Sequence, residues 1–160
     1  MNRRTALAGL AGALALAARP RPLWAALDEV RHTDAEWRKL LSSASYNVLR
    51  QAGTEYAFSS PLDEEKRPGL YSCMGCDLAL FSSKTKYDSG TGWPSFWAPL
   101  PHAIATKADY EIGEARTEVH CRRCLGHLGH VFDDGPKPTG LRYCMNGVAL
   151  RFAPGRTEPA

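Results

Sequence analysis

Acidic residues are absent from the first 25 positions of this 160-residue chain, and net charge is almost absent from the rest. Arg3, Arg4, Arg19 and Arg21 put four positive charges in that first stretch, while the remaining 16 basic and 17 acidic residues nearly cancel. The formal charge of +3 therefore belongs to the N-terminus. The body lacks the basic surface that is the usual electrostatic footprint of nucleic-acid binding, which disfavours that class of partner. Long apolar runs are also missing. Ala6 to Ala18 holds only Ala, Leu and Gly, but it is shorter than the roughly 20 residues of a membrane-spanning helix. No internal repeat is present beyond a short cysteine motif, and 160 residues at 44% hydrophobic and 23% charged describe one ordinary globular domain.

What the first 25 residues do contain has the form of a targeting segment. A charged start, Asn2-Arg3-Arg4-Thr5, precedes the apolar run, and the adjacent arginines resemble a twin-arginine export signal with cleavage near Ala25. The expected organisation is a signal peptide at 1–25, one mature domain at 26–153 and a disordered tail at 154–160, in a periplasmic protein with no stable membrane span after cleavage. An oxidising compartment favours disulfides. Twin-arginine export carries proteins already folded, so thiols could be protected by a metal before they meet oxidants.

Cysteine is scarce, and its arrangement is the richest signal in the chain. Four of the five cysteines form two pairs, Cys73-Met74-Gly75-Cys76 and Cys121-Arg122-Arg123-Cys124, and Cys144 stands alone. Two Cys-x-x-Cys pairs supply the ligand count and the knuckle spacing of a closed tetrahedral zinc site, with sulfur about 2.3 Å from the ion. The 44 residues between the pairs must then be folded back by the domain, so that zinc joins distant strands. Disulfide pairing after export is the competing reading. A thioredoxin-like dithiol lacks its βαβ surroundings, and haem attachment is excluded because Asp77 and Leu125, not histidine, follow the pairs. His127, three residues beyond Cys124, is a weaker rival ligand.

Local patterns predict a helical start and a β-rich remainder. Thr33-Asp34-Ala35-Glu36 reads as a capping box, and Trp37, Leu40, Leu41, Ala44 and Val48 follow at helical spacing, in one helix or two, up to a stop at Gly53. Pro61 to Gly69 reads as a charged surface loop. Short strands are expected at Leu70–Ser72, Leu78–Phe81, Ala103–Ala105, Glu118–His120, His130–Phe132, Leu141–Tyr143 and Val148–Phe152.

Three further strings stand between and after the cysteines: Lys86-Tyr87-Asp88-Ser89-Gly90-Thr91-Gly92-Trp93-Pro94-Ser95-Phe96, Gly126-His127-Leu128-Gly129-His130-Val131-Phe132-Asp133-Asp134-Gly135-Pro136, and Gly140-Leu141-Arg142-Tyr143-Cys144-Met145-Asn146. Together with the two pairs, in this order, the chain from about Asp34 to Phe152 closely resembles the methionine sulfoxide reductase B family. The resemblance implies a mainly β fold, two antiparallel sheets curled into an open barrel-like (Mss4-like) structure with short N-terminal helices and a structural zinc site. It implies thiol-dependent reduction of the R epimer of methionine sulfoxide in proteins, with Cys144 as nucleophile and one Zn2+ on Cys73, Cys76, Cys121 and Cys124. It also places Trp93, His127, His130, Asn146 and Arg142 around the active site, in a protein expected to be a monomer.

The residue types suit that chemistry. A sulfoxide needs a thiolate to attack sulfur and an acid to protonate the departing oxygen, which is left as sulfenic acid on Cys144. Arg142, His127 and His130 are candidates to help ionise the thiol, with His130 preferred as acid. Asn146 would orient water or substrate, and Trp93 would wall the S-methyl group. Plainer roles compete: Cys144 as a buried inert thiol, the histidines as backbone-bonding residues near the knuckle, Trp93 as core, Asp134 as a turn residue, and Asp88 with Asp63–Arg67 as solvated surface. Many members of the family carry a resolving cysteine in the Gly90–Gly92 string, and this chain has Thr91. With all five cysteines assigned, an external thiol, thioredoxin-like or small, is expected to reduce Cys144. The main alternative is a zinc-stabilised binding module in which Cys144 does nothing. A zinc-ribbon nucleic-acid binder is a third and weaker reading.

Overall fold

The computed structural model describes residues 29–110, 113 and 115–156. The expected signal at 1–25 and the end of the expected tail lie outside them. Two short helices open this body. Helix α1, Asp34–Leu40, starts at the predicted capping box: Thr33 Oγ1 accepts from the Glu36 N–H at 3.3 Å, and Glu36 Oε2 accepts from the Thr33 N–H at 2.7 Å. Helix α2, Ser43–Gln51, is capped afresh by Ser42, whose Oγ accepts from the Ser45 N–H at 3.1 Å.

That second cap resets the helical phase. Ser45, Tyr46, Val48 and Leu49 face inward, while Leu40 and Ala44, expected on the apolar face of a continuous helix, are exposed. The stop also differs by one residue. Ala52, not Gly53, takes the left-handed conformation at φ 53°, and the Gly53 N–H closes on the Asn47 carbonyl at 3.0 Å. Among the described residues no helix is long and apolar enough to cross a membrane.

Among the described residues nine strands follow, all paired antiparallel. In chain order they are β1 Gly69–Cys73, β2 Ala79–Ser82, β3 Lys86–Tyr87, β4 Ser95–Phe96, β5 Ile104–Asp109, β6 Arg116–Cys121, β7 His127–Phe132, β8 Arg142–Met145 and β9 Leu150–Pro154. They form a three-stranded sheet, β2-β1-β9, and a six-stranded sheet, β3-β4-β8-β7-β6-β5. The mainly β, two-sheet expectation is met. Strands β3 and β4 were not predicted, because two residues carry no alternation to read. Strand β9 runs through Pro154, the first residue assigned to the tail, and the Gly155 N–H donates to the Pro68 carbonyl at 2.8 Å.

The core lies between the sheets. Phe81 of β2 stacks on Phe96 of β4 at 4.4 Å, and Tyr71 of β1 meets Phe96 edge-on at 4.9 Å. All three rings are fully buried. Alternation then divides β6: Val119 is buried in the core, and Arg116 and Glu118 point to the other face. Register carries that second face across the sheet. Lys107 and Asp109 lie opposite Glu118 and Arg116, Glu118 lies opposite His130, His130 opposite Cys144, and Cys144 opposite Ser95. One face of the large sheet therefore holds most of the chemistry-bearing residues.

Candidate active site and metal centre

The two Cys-x-x-Cys segments occupy equivalent turns. One joins β1 to β2 and the other joins β6 to β7, in different sheets. In each, the residue after the second cysteine has a positive φ: 58° at Asp77 and 59° at Leu125. The N–H of each of these residues donates to the carbonyl of its first cysteine at 2.9 Å. The four Sγ atoms lie within 4.8 Å of one another and none is in a disulfide. Tetrahedral coordination at 2.3 Å requires sulfurs about 3.8 Å apart. Two of the separations, Cys73 to Cys124 and Cys76 to Cys121, are 3.6 and 3.5 Å. The donor set thus fits a metal ion, and the fold spans the 44-residue gap by bringing two hairpins together. Helix α2 covers the cluster, with Leu49 against both turns and Arg50 Nη1 donating to the Cys124 carbonyl at 2.9 Å.

Cys144 sits apart on β8, half-buried. It opens onto a cleft of about 150 Å³ whose walls include Trp93, His130 and Asn146, with Arg116 and Phe132. Larger hollows exist, such as one of about 550 Å³ along Arg38, Tyr46 and Gln51, but no cysteine or histidine lines it. Chemistry, not volume, selects the cleft.

Close backbone approach builds it. Gly129 has φ 155°, and a Cβ there would stand 2.1 Å from the Cys144 carbonyl oxygen, so only glycine lets β7 come this near the strand of Cys144. Asn146 is buried and its amide is committed to backbone: Nδ2 donates to the Leu128 carbonyl at 3.0 Å, and Oδ1 accepts from the Glu55 N–H at 2.9 Å. Trp93 Nε1 donates to the Glu55 carbonyl at 3.2 Å. Glu55 is thereby the peg that joins the loop after α2 to both cleft walls, and its carboxylate accepts from the Gly147 and Val148 N–H groups at 2.5 and 3.1 Å. Burial raises the Glu55 carboxyl above its ordinary range, and those two N–H groups oppose the shift.

The thiol's surroundings oppose each other. Burial pushes the Cys144 thiol up, while Thr91, Arg142 and Ser95 pull it down. Thr91 Oγ1 lies 3.8 Å from Cys144 Sγ and continues through Ser89 Oγ at 2.8 Å to Ser95 Oγ at 2.7 Å. Arg142 acts on the thiol by charge, but its guanidinium is clamped by Asp134 through two bonds of 2.8 Å and lies over the Phe132 ring at 4.3 Å. Asp134 is more than a turn residue: it holds this cation. Asp88 does make a local turn, accepting from the Gly90 N–H at 2.8 Å.

The two histidines separate in role. His130 lines the cleft, and its Nε2 is 2.7 Å from Asp109 Oδ2. His127 is 4% exposed and lies behind it, with ring centroids 5.4 Å apart. Burial pushes the His127 imidazole down, Glu118 at 3.0 Å opposes that shift, and Nε2 has no hydrogen-bond partner. The structure therefore gathers Trp93, His130, Cys144 and Asn146 around one cleft and sets His127 and Arg142 outside its lining. Sequence reading missed Glu55, Asp109, Arg116 and Glu118, because no local spacing marks a carboxylate that acts from another strand.

Residues 41–154 match the SelR domain family model. The chain belongs to the SelR family, the methionine sulfoxide reductase B group. It is 50% identical over 125 residues to a peptide methionine sulfoxide reductase MsrB of Leptospira interrogans, covering 78% of this chain and 95% of that relative. It is 51% identical over 129 residues to the MsrB of Pseudomonas syringae, covering 80% and 98%. The chloroplastic B1 enzyme of Oryza sativa subsp. japonica is 52% identical over 121 residues, covering 75% of this chain and 56% of that longer protein. Family membership and the four-cysteine cluster agree with the resemblance drawn from the motifs.

Proposed function

We propose that this protein reduces methionine sulfoxide in peptides and proteins, acting on the R epimer through Cys144. The carrying observation is that Cys144, the one cysteine outside the cluster, opens onto the cleft of Trp93, His130 and Asn146. Trp93 receives the S-methyl group as an apolar wall. The Cys144 thiolate bonds to the sulfoxide sulfur while His130 protonates the oxygen. The S–O bond and the transient bond between the two sulfurs then break as the oxygen passes to Cys144 Sγ, so that methionine leaves reduced by two electrons and Cys144, oxidised by two, holds the oxygen as sulfenic acid. Thr91 and Arg142 support the thiolate by hydrogen bond and charge. An external thiol then attacks Cys144, releasing water and leaving a mixed disulfide, and a second thiol frees Cys144.

The four-cysteine cluster fits Zn2+, which when bound ties the two sheets together and takes no part in the reaction. The paired arginines and apolar run support export of the 1–25 segment by the twin-arginine route and a periplasmic reductase domain at 26–153.

A single turnover tests the reading. One equivalent of a peptide carrying the separated R or S sulfoxide is mixed with reduced protein, and methionine and the state of Cys144 are followed by mass spectrometry. One methionine per chain from the R peptide, with dimedone-trappable sulfenic acid on Cys144, is expected. Consumption of the S epimer, an intrachain disulfide at Cys144, or full turnover by Cys144→Ser would overturn it.

A further inference from the structure

Each histidine of β7 ends on a carboxylate that is itself held by a cation. Glu118 bridges Lys107 Nζ at 2.9 Å and His127 Nδ1 at 3.0 Å. Asp109 Oδ2 bridges Arg116 Nη2 at 2.6 Å and His130 Nε2 at 2.7 Å. The two sets share a sheet face but differ in access. The first ends on a histidine buried away from the cleft, and the second ends on two cleft-lining residues, His130 and Arg116. Asp109 stands opposite Arg116 and His130 stands opposite Glu118, so the Asp109 carboxylate reaches over β6 to meet a ring on the second strand away. A buried carboxylate spans that distance in company with a cation, which offsets the cost of burying its charge.

We propose that Asp109 is a positioning residue of the reductase: it accepts the Nε2 hydrogen of His130 and an Nη2 hydrogen of Arg116, so that Nδ1 is the His130 nitrogen that serves the sulfoxide oxygen and Arg116 is held on the cleft wall. This rests on the function proposed above. Its proton accounting is closed. The imidazolium gives its Nδ1 proton to the oxygen as the Cys144 thiolate bonds to sulfur. His130 is left neutral with Nε2–H still donating to Asp109, and Asp109 stays ionised throughout, as the carboxylate does in a serine-protease triad. Arg116 keeps that carboxylate charged, and its exclusion from water makes the bond strong enough to fix tautomer and rotamer. The other ionisable groups facing His130 are Glu118 on β6, His127 on its own strand and Cys144 on β8. Glu118 is already committed to Lys107 and His127, so Asp109 is the carboxylate bonded to His130.

The test compares wild type, Asp109→Asn, His130→Gln and the double variant in single-turnover methionine formation. Asp109→Asn is expected to slow the step by about tenfold to a hundredfold. In the His130→Gln background the same substitution costs less than about twofold more, because Asp109 acts through His130. A wild-type rate in Asp109→Asn, or losses that multiply in the double variant, would overturn the proposal. Nitrogen-15 NMR of the wild-type ring is independent of how any variant folds. Neutral His130 should be the Nε2–H tautomer, and an Nδ1–H tautomer would refute the assignment. If wild type itself turned over no sulfoxide, the reductase reading would fall while the tautomer result still stood.

Discussion

Gly129→Ala tests the idea that the cleft depends on one close backbone approach. The added Cβ would meet the Cys144 carbonyl oxygen at 2.1 Å and its carbonyl carbon at 3.1 Å, and an ordinary contact needs at least about a further ångström. Neither partner is the free end of a flexible side chain; both belong to β8, which is hydrogen-bonded on two sides, to β4 and to β7. The φ of 155° is itself unfavourable for an L residue, at about 1–3 kcal/mol. Forcing the strands apart adds an overpacking cost of about 1–3 kcal/mol. The sum, about 2–6 kcal/mol, is a large part of an ordinary domain stability of about 5–15 kcal/mol. At about 3–5 °C per kcal/mol for a domain of this size, the thermal midpoint should fall by roughly 6–30 °C. Activity should fall further than stability, because the residue displaced is the proposed nucleophile. The assay pairs a thermal or urea melt with single-turnover methionine formation measured well below the new midpoint. A midpoint within about 2 °C of wild type, or normal single-turnover rates in the folded variant, would refute the claim that this contact sets the position of Cys144.

Two other perturbations reach other parts of the molecule. If the four-cysteine cluster holds the proposed zinc, a chelator under reducing conditions should abolish most of the cooperative melt, because a structural zinc is worth about 10 kcal/mol and the cluster lies where the two sheets meet; an unchanged melt with five freely reactive thiols would refute it. Burial raises the Cys144 thiol, so the protonated form is favoured in the fold and ionises only as pH climbs past the ordinary value of 9.0. Iodoacetamide labelling of Cys144 should therefore have its midpoint above that value, and Thr91→Val should move it higher still by removing the hydroxyl that favours the thiolate. A midpoint below 9.0, or no response to Thr91→Val, would show that burial is not the larger effect.

Those effects differ in how far along the chain their causes lie, and so did their legibility. The capping box at Thr33 and Glu36 was readable because both partners sit within one turn of helix. The reset of phase at Ser42 was not, because Leu40 and Ala44 are good apolar helix residues that end up exposed only once a second cap rotates the next turn. Seven of the nine strands had patterns to read; the two-residue β3 and β4 exist because the large sheet extends to receive them.

For the site, the sequence by itself marked out the four clustered cysteines and the odd thiol. A Cys-x-x-Cys turn is a local object, and its two sulfurs converge whatever surrounds them. It also carried Thr91, whose side chain does face Cys144. Tertiary structure alone decided which histidine meets the cleft. His127 and His130 are three residues apart in one motif, yet a register shift between β6 and β7 near Val119 and His120 sends one to Glu118 behind the cleft and the other to Asp109 beside it. It likewise decided that Arg142 belongs to Asp134 and that Asn146 is held by Glu55, 91 residues away. Motif spacing fixes groups joined by a few bonds. Partners across strands are fixed by register, which depends on every pairing between them.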